Sequence, residues 1–422
     1  MNSKRLSTGL AAMCILWVVC SVKAQDGMLT PNEELGRSIF FDEDLSINAN
    51  QSCAACHASE VGWTGPIETI NAHGAVYEGS ILGRFGNRKP PSAAYATPSP
   101  IFHWSKKGLF IGGNFWDGRA TGEKLGNPAA DQAQGPFLNP AEQALPDSAC
   151  VVYLVCTASY SVSFEDVWGD GACDIAWPLD VDAVCAMEGG MVELSDADRA
   201  KSDMAYDQIA LSIAAYEASP EVNAFTSKYD YALKDMVKLT KQERRGFALF
   251  HGKGQCFRCH PVSGAQPLFT DFSYDNLGIP KNPENPVYDV DPDFVDVGLG
   301  GFLMNVGYAP EVYEPELGKL KVPTLRNVDK RPYDGFVKAF GHNGYFKSLE
   351  EIVHFYNTRD VLPVCEDVSE PEPSVNCWPE PEFADNINID ELGDLGLTAD
   401  EEAALVAFLK TLSDGHVPGG GE

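Results

Sequence analysis

The sequence predicts a mostly α-helical protein built of two tandem units, and three observations carry that reading. A pattern, Leu29-Thr30-x-x-Glu33-x-x-Gly36-x-x-Ile39-Phe40, returns as Leu239-Thr240-x-x-Glu243-x-x-Gly246-x-x-Leu249-Phe250. Each copy precedes one Cys-x-x-Cys-His motif, Cys53-Ala54-Ala55-Cys56-His57 in the first half and Cys256-Phe257-Arg258-Cys259-His260 in the second. Apolar residues in both copies recur at helical rather than alternating spacing.

Taken in order, the chain opens with Lys4 and Arg5 before an apolar run that ends at Val22-Lys23-Ala24. That pattern predicts a secretory signal peptide over residues 1–24 and export, to the periplasm in a bacterium. No later stretch reaches the roughly 20 apolar residues of a membrane span, so none is expected. Removing residues 1–24 leaves 28 basic against 61 acidic residues, a net charge of −33. Such a field repels nucleic acid and anionic lipid and favours a basic partner where it faces one; a solvated surface is the equal alternative, and no nucleic-acid partner is expected. A mature length near 400 residues exceeds one typical core.

Two thiols three positions apart can add to the two vinyl groups of one haem, and the His that follows then reaches the iron as proximal ligand. Zinc half-sites and thioredoxin-like pairs share the Cys-x-x-Cys spacing, but the trailing His, present twice in an exported chain, favours haem. Cys53, Cys56, Cys256 and Cys259 are therefore expected to carry two covalent c-type haems, with His57 and His260 as iron ligands. The units become cytochrome c-like domains over residues 25–230 and 231–422. Thr30/Glu33 and Thr240/Glu243 form capping boxes that start a helix before each motif. Closing helices are expected over 206–216 and 398–412, the latter with Leu405, Phe408, Leu409 and Leu412 as its apolar stripe.

Beyond the leader and the haem motifs, six cysteines remain, an even number that suggests three disulfides in an oxidising compartment. The close pairs 150/156, 173/185 and 365/377 are the expected connectivity. Residues 147–193 read as a disulfide-stapled insertion on the first unit. Residues 360–389, rich in Pro and Glu, read as an irregular stretch.

Four further segments are Phe115-Trp116-Asp117-Gly118-Arg119-Ala120, Asp131-Gln132-Ala133-Gln134-Gly135-Pro136, Asn276-Leu277-Gly278-Ile279-Pro280, and Val322-Pro323-Thr324-Leu325-Arg326-Asn327-Val328. With two haem motifs in this order, the chain resembles the bacterial di-haem cytochrome c peroxidase and MauG superfamily over nearly its whole mature length. The resemblance implies two helical cytochrome c-like domains with the active site between them. It implies that Trp116 lies between the haems as an electron relay, that Glu142 is the distal carboxylate of a peroxide pocket, and that Gln132 is the distal glutamine. A carboxylate so placed can take a proton from one peroxide oxygen and deliver it to the other. Read without the motif, Trp116 is a core aromatic and Glu142 and Gln132 are surface polar residues.

The sixth ligand of the second haem separates the branches of the family. Ser348 and Glu351 form a capping box, and apolar residues at 349, 352, 353 and 356 turn Tyr356 inward. The peroxidases carry Met at this offset, whereas the MauG-like and MbnH-like branch carries Tyr. A phenolate is a hard donor that stabilises high-valent iron, while a Met thioether raises the potential. The other candidate is Met304, the one Met after the second haem motif.

His73 stands at the offset of the distal His of resting peroxidases and is a candidate ligand of the first haem. The family's calcium-binding Asn is replaced by Lys89, with Asn87 nearby, which weighs against calcium. The surface Trp that MauG carries before its second haem motif is Gly254 here, so oxidising equivalents must leave by another route. The resemblance thus implies an oxidoreductase in which hydrogen peroxide forms a high-valent di-haem state that oxidises aromatic residues, Trp foremost, of a partner protein. The alternatives are peroxide reduction with electrons from a small cytochrome or cupredoxin, and plain electron transfer.

Overall fold

The computed structural model describes residues 28–419; the expected signal peptide lies outside the described residues. Ten helices matter for the site: α1 (Pro31–Phe40), α2 (Pro128–Leu138), α3 (Ser148–Thr157), α4 (Ser161–Trp168), α5 (Val181–Cys185), α6 (Asp196–Ala218), α7 (Lys241–His251), α8 (Gly298–Asn305), α9 (Leu349–Thr358) and α10 (Ala399–Lys410). The strands among the described residues are two short antiparallel pairs, His103–Trp104 with Phe110–Ile111 and Tyr274–Asp275 with Leu320–Lys321. The mostly α expectation holds. Among the described residues, no single helix is long and apolar enough to cross a membrane.

The repeat seen in sequence is a repeat in space. Thr30 and Thr240 both form complete capping boxes, with Glu33 and Glu243. Helix α1 then packs on α6, and α7 packs on α10. The repeated glycine is what lets each pair touch. A Cβ on Gly36 would lie 1.9 Å from the Ser212 carbonyl oxygen, and one on Gly246 would lie 1.9 Å from that of Ala404. Both are far inside van der Waals contact, so any side chain would force the helices apart. The first closing helix, expected over 206–216, starts ten residues earlier at Asp196, where the Ser195 hydroxyl accepts from Asp198 N–H. The second runs Ala399–Lys410, capped by Thr398 and Glu401.

Each half has its own core. Phe40, Trp63, Phe137 and Tyr216 are buried together in the first, and Phe250, Phe269, Phe346, Phe355 and Phe408 in the second. A third, smaller cluster of Phe102, Phe110, Tyr274, Leu299 and Leu303 joins the hairpin of the first half to α8 of the second.

The segment 147–193 is a disulfide-stapled insertion, but a helical one whose Val151, Val152, Val155 and Phe164 are fully buried in the first core. Its connectivity corrects two expected pairs: the bonds are Cys150–Cys185 and Cys156–Cys173. Cys150 and Cys156 share helix α3. Six residues of helix separate them by about 9 Å along the axis, beyond the reach of a disulfide. The bonds therefore run from α3 outward, nested. Cys365–Cys377 forms as expected.

Candidate functional site

Each Cys-x-x-Cys-His motif folds as a tight 3₁₀ turn on the wall of a cavity. Cys53, Cys56 and His57 line the first, and Cys256, Cys259 and His260 line the second. The proximal histidines are held alike. His57 Nδ1 lies 3.1 Å from the carbonyl oxygen of Trp63, and His260 Nδ1 lies 2.7 Å from that of Phe269. A carbonyl accepts only, so Nδ1 carries the proton and Nε2 offers its lone pair to the cavity. Both acceptors sit in left-handed backbone, Trp63 at φ 61° and Phe269 at φ 54°. Burial lowers both histidines' pKa values, which keeps the rings neutral.

These residues fit a c-type haem in each cavity. The four motif cysteines stay free while the other six described cysteines are paired. Lys89 and Lys321 line both cavities. Lys89 Nζ donates to Thr64 Oγ1 and the Pro90 carbonyl, and Lys321 Nζ to Asn114 Oδ1. All are neutral acceptors, and burial pulls the two ammonium groups down to about 8 and about 7. Buried cations without an acid suit an anionic ligand, and haem carries two propionates. Sequence reasoning missed both as site residues. Their signal is the parallel between Lys89-Pro90-Pro91-Ser92 and Lys321-Val322-Pro323-Thr324. The position that the resemblance gives to a calcium-binding Asn thus holds the protein's own cation, and the Asn87 carbonyl accepts from Asn285 Nδ2.

In the first cavity, α2 and the turn after it present Gln132, Pro136, Asn139 and Glu142. Asn127 caps the helix through Ala129 and Ala130 N–H. Glu142 Oε1 accepts from Asn139 Nδ2 at 3.0 Å. Burial raises its pKa, outweighing Arg119 and the Asn139 bond. A carboxyl raised in this way can exchange a proton nearer neutral pH. Glu217, one residue past the expected end of the closing helix, is a second carboxyl of this cavity. It is 5% exposed and burial pushes it up to about 8. Sequence reasoning missed it too, although an acid on an apolar helix face was the available signal.

In the second cavity, Tyr356 projects from α9 into the lining alongside Cys256, Cys259 and His260. Ser348 Oγ caps α9 by accepting from Glu351 N–H. The expected capping box is only half formed, because the Glu351 carboxylate accepts from Lys347 N–H instead. Burial pushes the Tyr356 phenol upward. Met304 lies outside this cavity, 46% exposed on α8. His73 lies outside the first, its side chain 68% exposed and hydrogen-bonded to Glu284 at 2.8 Å. A Cβ on Gly254 would meet Leu249 O at 3.0 Å and Leu405 Cδ1 at 3.3 Å, so a side chain there fits only if these neighbours give by a few tenths of an ångström.

Trp116 lines both cavities. Its Nε1–H donates to the Lys89 carbonyl at 2.9 Å, and its own carbonyl accepts from Lys321 N–H at 2.8 Å. The turn that carries it, closed by the Asn114/Ala120 bridge, has a counterpart closed by Phe340/Phe346, in which His342 takes the place of Trp116. Beside this pair, Arg88 bridges Asp117 at 2.7 Å and Asp296 at 2.6 Å, tying the two halves together.

A sequence profile described as di-haem cytochrome c peroxidase matches residues 30–238. The methylamine utilization protein MauG of Paracoccus denitrificans (strain Pd 1222) is 34% identical over 394 residues, 90% of this chain and 88% of its own. The cytochrome-c peroxidase IdrP1 of Denitromonas iodatirespirans is 25% identical over 404 residues, 93% of this chain and 84% of its own. The crystal structure of the diheme peroxidase BthA from Burkholderia thailandensis E264 superposes with a TM-score of 0.71 at 28% identity, covering 92% of this chain and 87% of that one.

Proposed function

The chain belongs to the di-haem cytochrome c peroxidase and MauG family of peroxide-using oxidoreductases, and from that premise we propose that it acts in the periplasm to oxidise Trp residues of a partner protein. When bound, the haems supply an iron that meets peroxide and the capacity to hold two oxidising equivalents. Cys53, Cys56, Cys256 and Cys259 would hold them by thioether bonds, His57 and His260 would offer Nε2 to iron, and Lys89 and Lys321 would pair with propionates. Glu142, oriented by Asn139, would take a proton from one peroxide oxygen and deliver it to the other. Gln132 orients the peroxide. Trp116, which lines both cavities, would carry electrons between them.

The observation that carries the reading is Tyr356 on the wall of the second cavity. A buried phenolate is disfavoured beside apolar walls and favoured beside ferric iron, so a metal reverses the upward shift that burial imposes. A hard oxygen ligand suits an oxidised iron, and a haem so ligated is poor at waiting for electrons from a small cytochrome.

The test is the absorption spectrum of the ferric protein with its haems in place, wild type against Tyr356→Phe. The reading expects no Met-ligated haem in the wild type and a changed second-haem spectrum in the variant. An unchanged spectrum, or rapid peroxide turnover with reduced cytochrome c, would favour electron donation by a small redox protein.

A further inference from the structure

Gly254 offers no ring at the expected exit, and the third aromatic cluster supplies another way out. Tyr274 packs against the turn that carries Trp116: a Cβ on Gly118 would lie 2.1 Å from its Oη, and its ladder partner Lys321 donates N–H to the Trp116 carbonyl. From Tyr274 the rings continue without a break. Phe102 is 6.1 Å away, Phe110 stacks on Phe102 at 5.2 Å, and Trp104 meets Phe110 at 4.7 Å. Trp104 is 55% exposed, the single exposed tryptophan among the described residues. Indole, like phenol, is a readily oxidised aromatic side chain.

The surface at the end of this chain is built unlike the rest of the protein. Ile101, Trp104, Leu109, Met304, Val306 and Tyr308 are all exposed around Phe110 and Phe102, with Tyr308 6.0 Å from Phe110. A contiguous apolar face of this kind marks an interaction site more often than chance exposure. On the hairpin side its rim is basic in a chain that is otherwise strongly acidic, while Glu311 stands exposed on the far side, after Tyr308. No acid occurs from residue 79 to residue 116. Lys106 and Lys107 at the hairpin tip are exposed and make no ion pair among the described residues.

We propose that Trp104 is where oxidising equivalents reach the surface, and that the apolar face around it docks a partner protein whose complementary face is apolar with an acidic rim. This rests on the reading above. Peroxide takes up two electrons and two protons to give two waters. Both electrons come from indole, inward through Trp104, Phe110, Phe102 and Tyr274 to Trp116. The oxidised indole adds one water and releases two protons, so the net change is one oxygen gained by Trp and one water formed from peroxide. Without a partner, Trp104 itself is the donor.

The experiment adds hydrogen peroxide to the haem-loaded protein, follows the haem absorbance, and maps oxidised residues by mass spectrometry. Two probes are compared, a synthetic Leu/Glu peptide with a single Trp and its Leu/Lys counterpart. The proposal expects one added oxygen on Trp104 when no peptide is present. It expects the acidic peptide to be oxidised at least about tenfold faster than the basic one, a difference of ~1.4 kcal/mol in barrier, and to protect Trp104. The Lys106→Glu/Lys107→Glu double variant should reverse the preference, and Trp104→Phe should abolish it. Oxidation of the acidic peptide undiminished in either variant, or oxygen on Trp168 or Trp177 with Trp104 intact, overturns the exit while leaving the proposed function standing. Haem absorbance that responds to peroxide with neither peptide nor protein Trp oxidised overturns both.

Discussion

The Trp116 indole lies 6.5 Å, ring centre to ring centre, from the His342 imidazole, and the carbonyl of each accepts a backbone N–H from a lysine of the opposite half. Lys321 N–H reaches Trp116 at 2.8 Å, and Lys89 N–H reaches His342 at 2.7 Å. The joint between the halves is thus a crossed pair of equivalent turns, and one turn has been given an oxidisable ring that faces both cavities. Trp116→Phe keeps the shape and removes both the Nε1–H bond to Lys89 and the low oxidation potential. Stopped-flow absorbance should show the second haem responding to peroxide at least about tenfold more slowly, ~1.4 kcal/mol in barrier.

Glu142→Gln retains the Asn139 contact and loses the transferable proton. Peroxide consumption at neutral pH should fall by about 10²–10⁴-fold, the usual worth of a positioned general acid/base. Because burial raises the Glu142 pKa, the wild-type rate should fall on the acid side at a pH above the ordinary carboxylate range. A pH profile with no acid-side fall above the ordinary carboxylate range would remove Glu142 from the proton path.

Glu217 makes a stability prediction of definite sign. Its folded value of about 8 exceeds its ordinary 4.5. Below pH 4.5 both states hold the proton and nothing changes. Between 4.5 and 8 only the unfolded chain ionises, so stability falls as pH rises, by at most about 1.4 kcal/mol per pH unit. Thermal unfolding of the haem-loaded protein at pH 5 and pH 8 should show a steeper loss in wild type than in Glu217→Gln.

Arg326 belongs to a segment that marks the family, and its work is structural. It is 1% exposed, forks onto Asp230 at 2.9 and 2.8 Å, and lies over the Phe225 ring at 4.4 Å. Asp230→Ala leaves a buried guanidinium unpaired and should cost about 3–5 kcal/mol in denaturant unfolding. A loss under 1 kcal/mol would show that water reaches the pair.

What could be read in sequence was what short spacing encodes. The capping boxes at Thr30 and Thr240, the two haem motifs and the inward face that carries Tyr356 all depend on residues within a turn or two of one another. The glycine of the repeat was visible, but its reason, helices crossing at Ser212 and Ala404, was not. The disulfides of the insertion were misread because proximity in sequence was taken for proximity in space, and one helix separates Cys150 from Cys156. Lys89, Lys321 and Glu217 were missed because their importance comes from burial, which distant segments impose. His73 and Met304 failed for the same reason in reverse, as chemically apt residues that the fold leaves facing outward.

The central claim, that the two cavities share the oxidising equivalents of one peroxide, is tested most directly by adding one molar equivalent of hydrogen peroxide to the fully ferric protein, with no reductant, while recording the absorbance of both haems. The account predicts that the His57 and His260 haems change together. A response confined to the first haem, or none until an electron donor has first reduced the second, would contradict it.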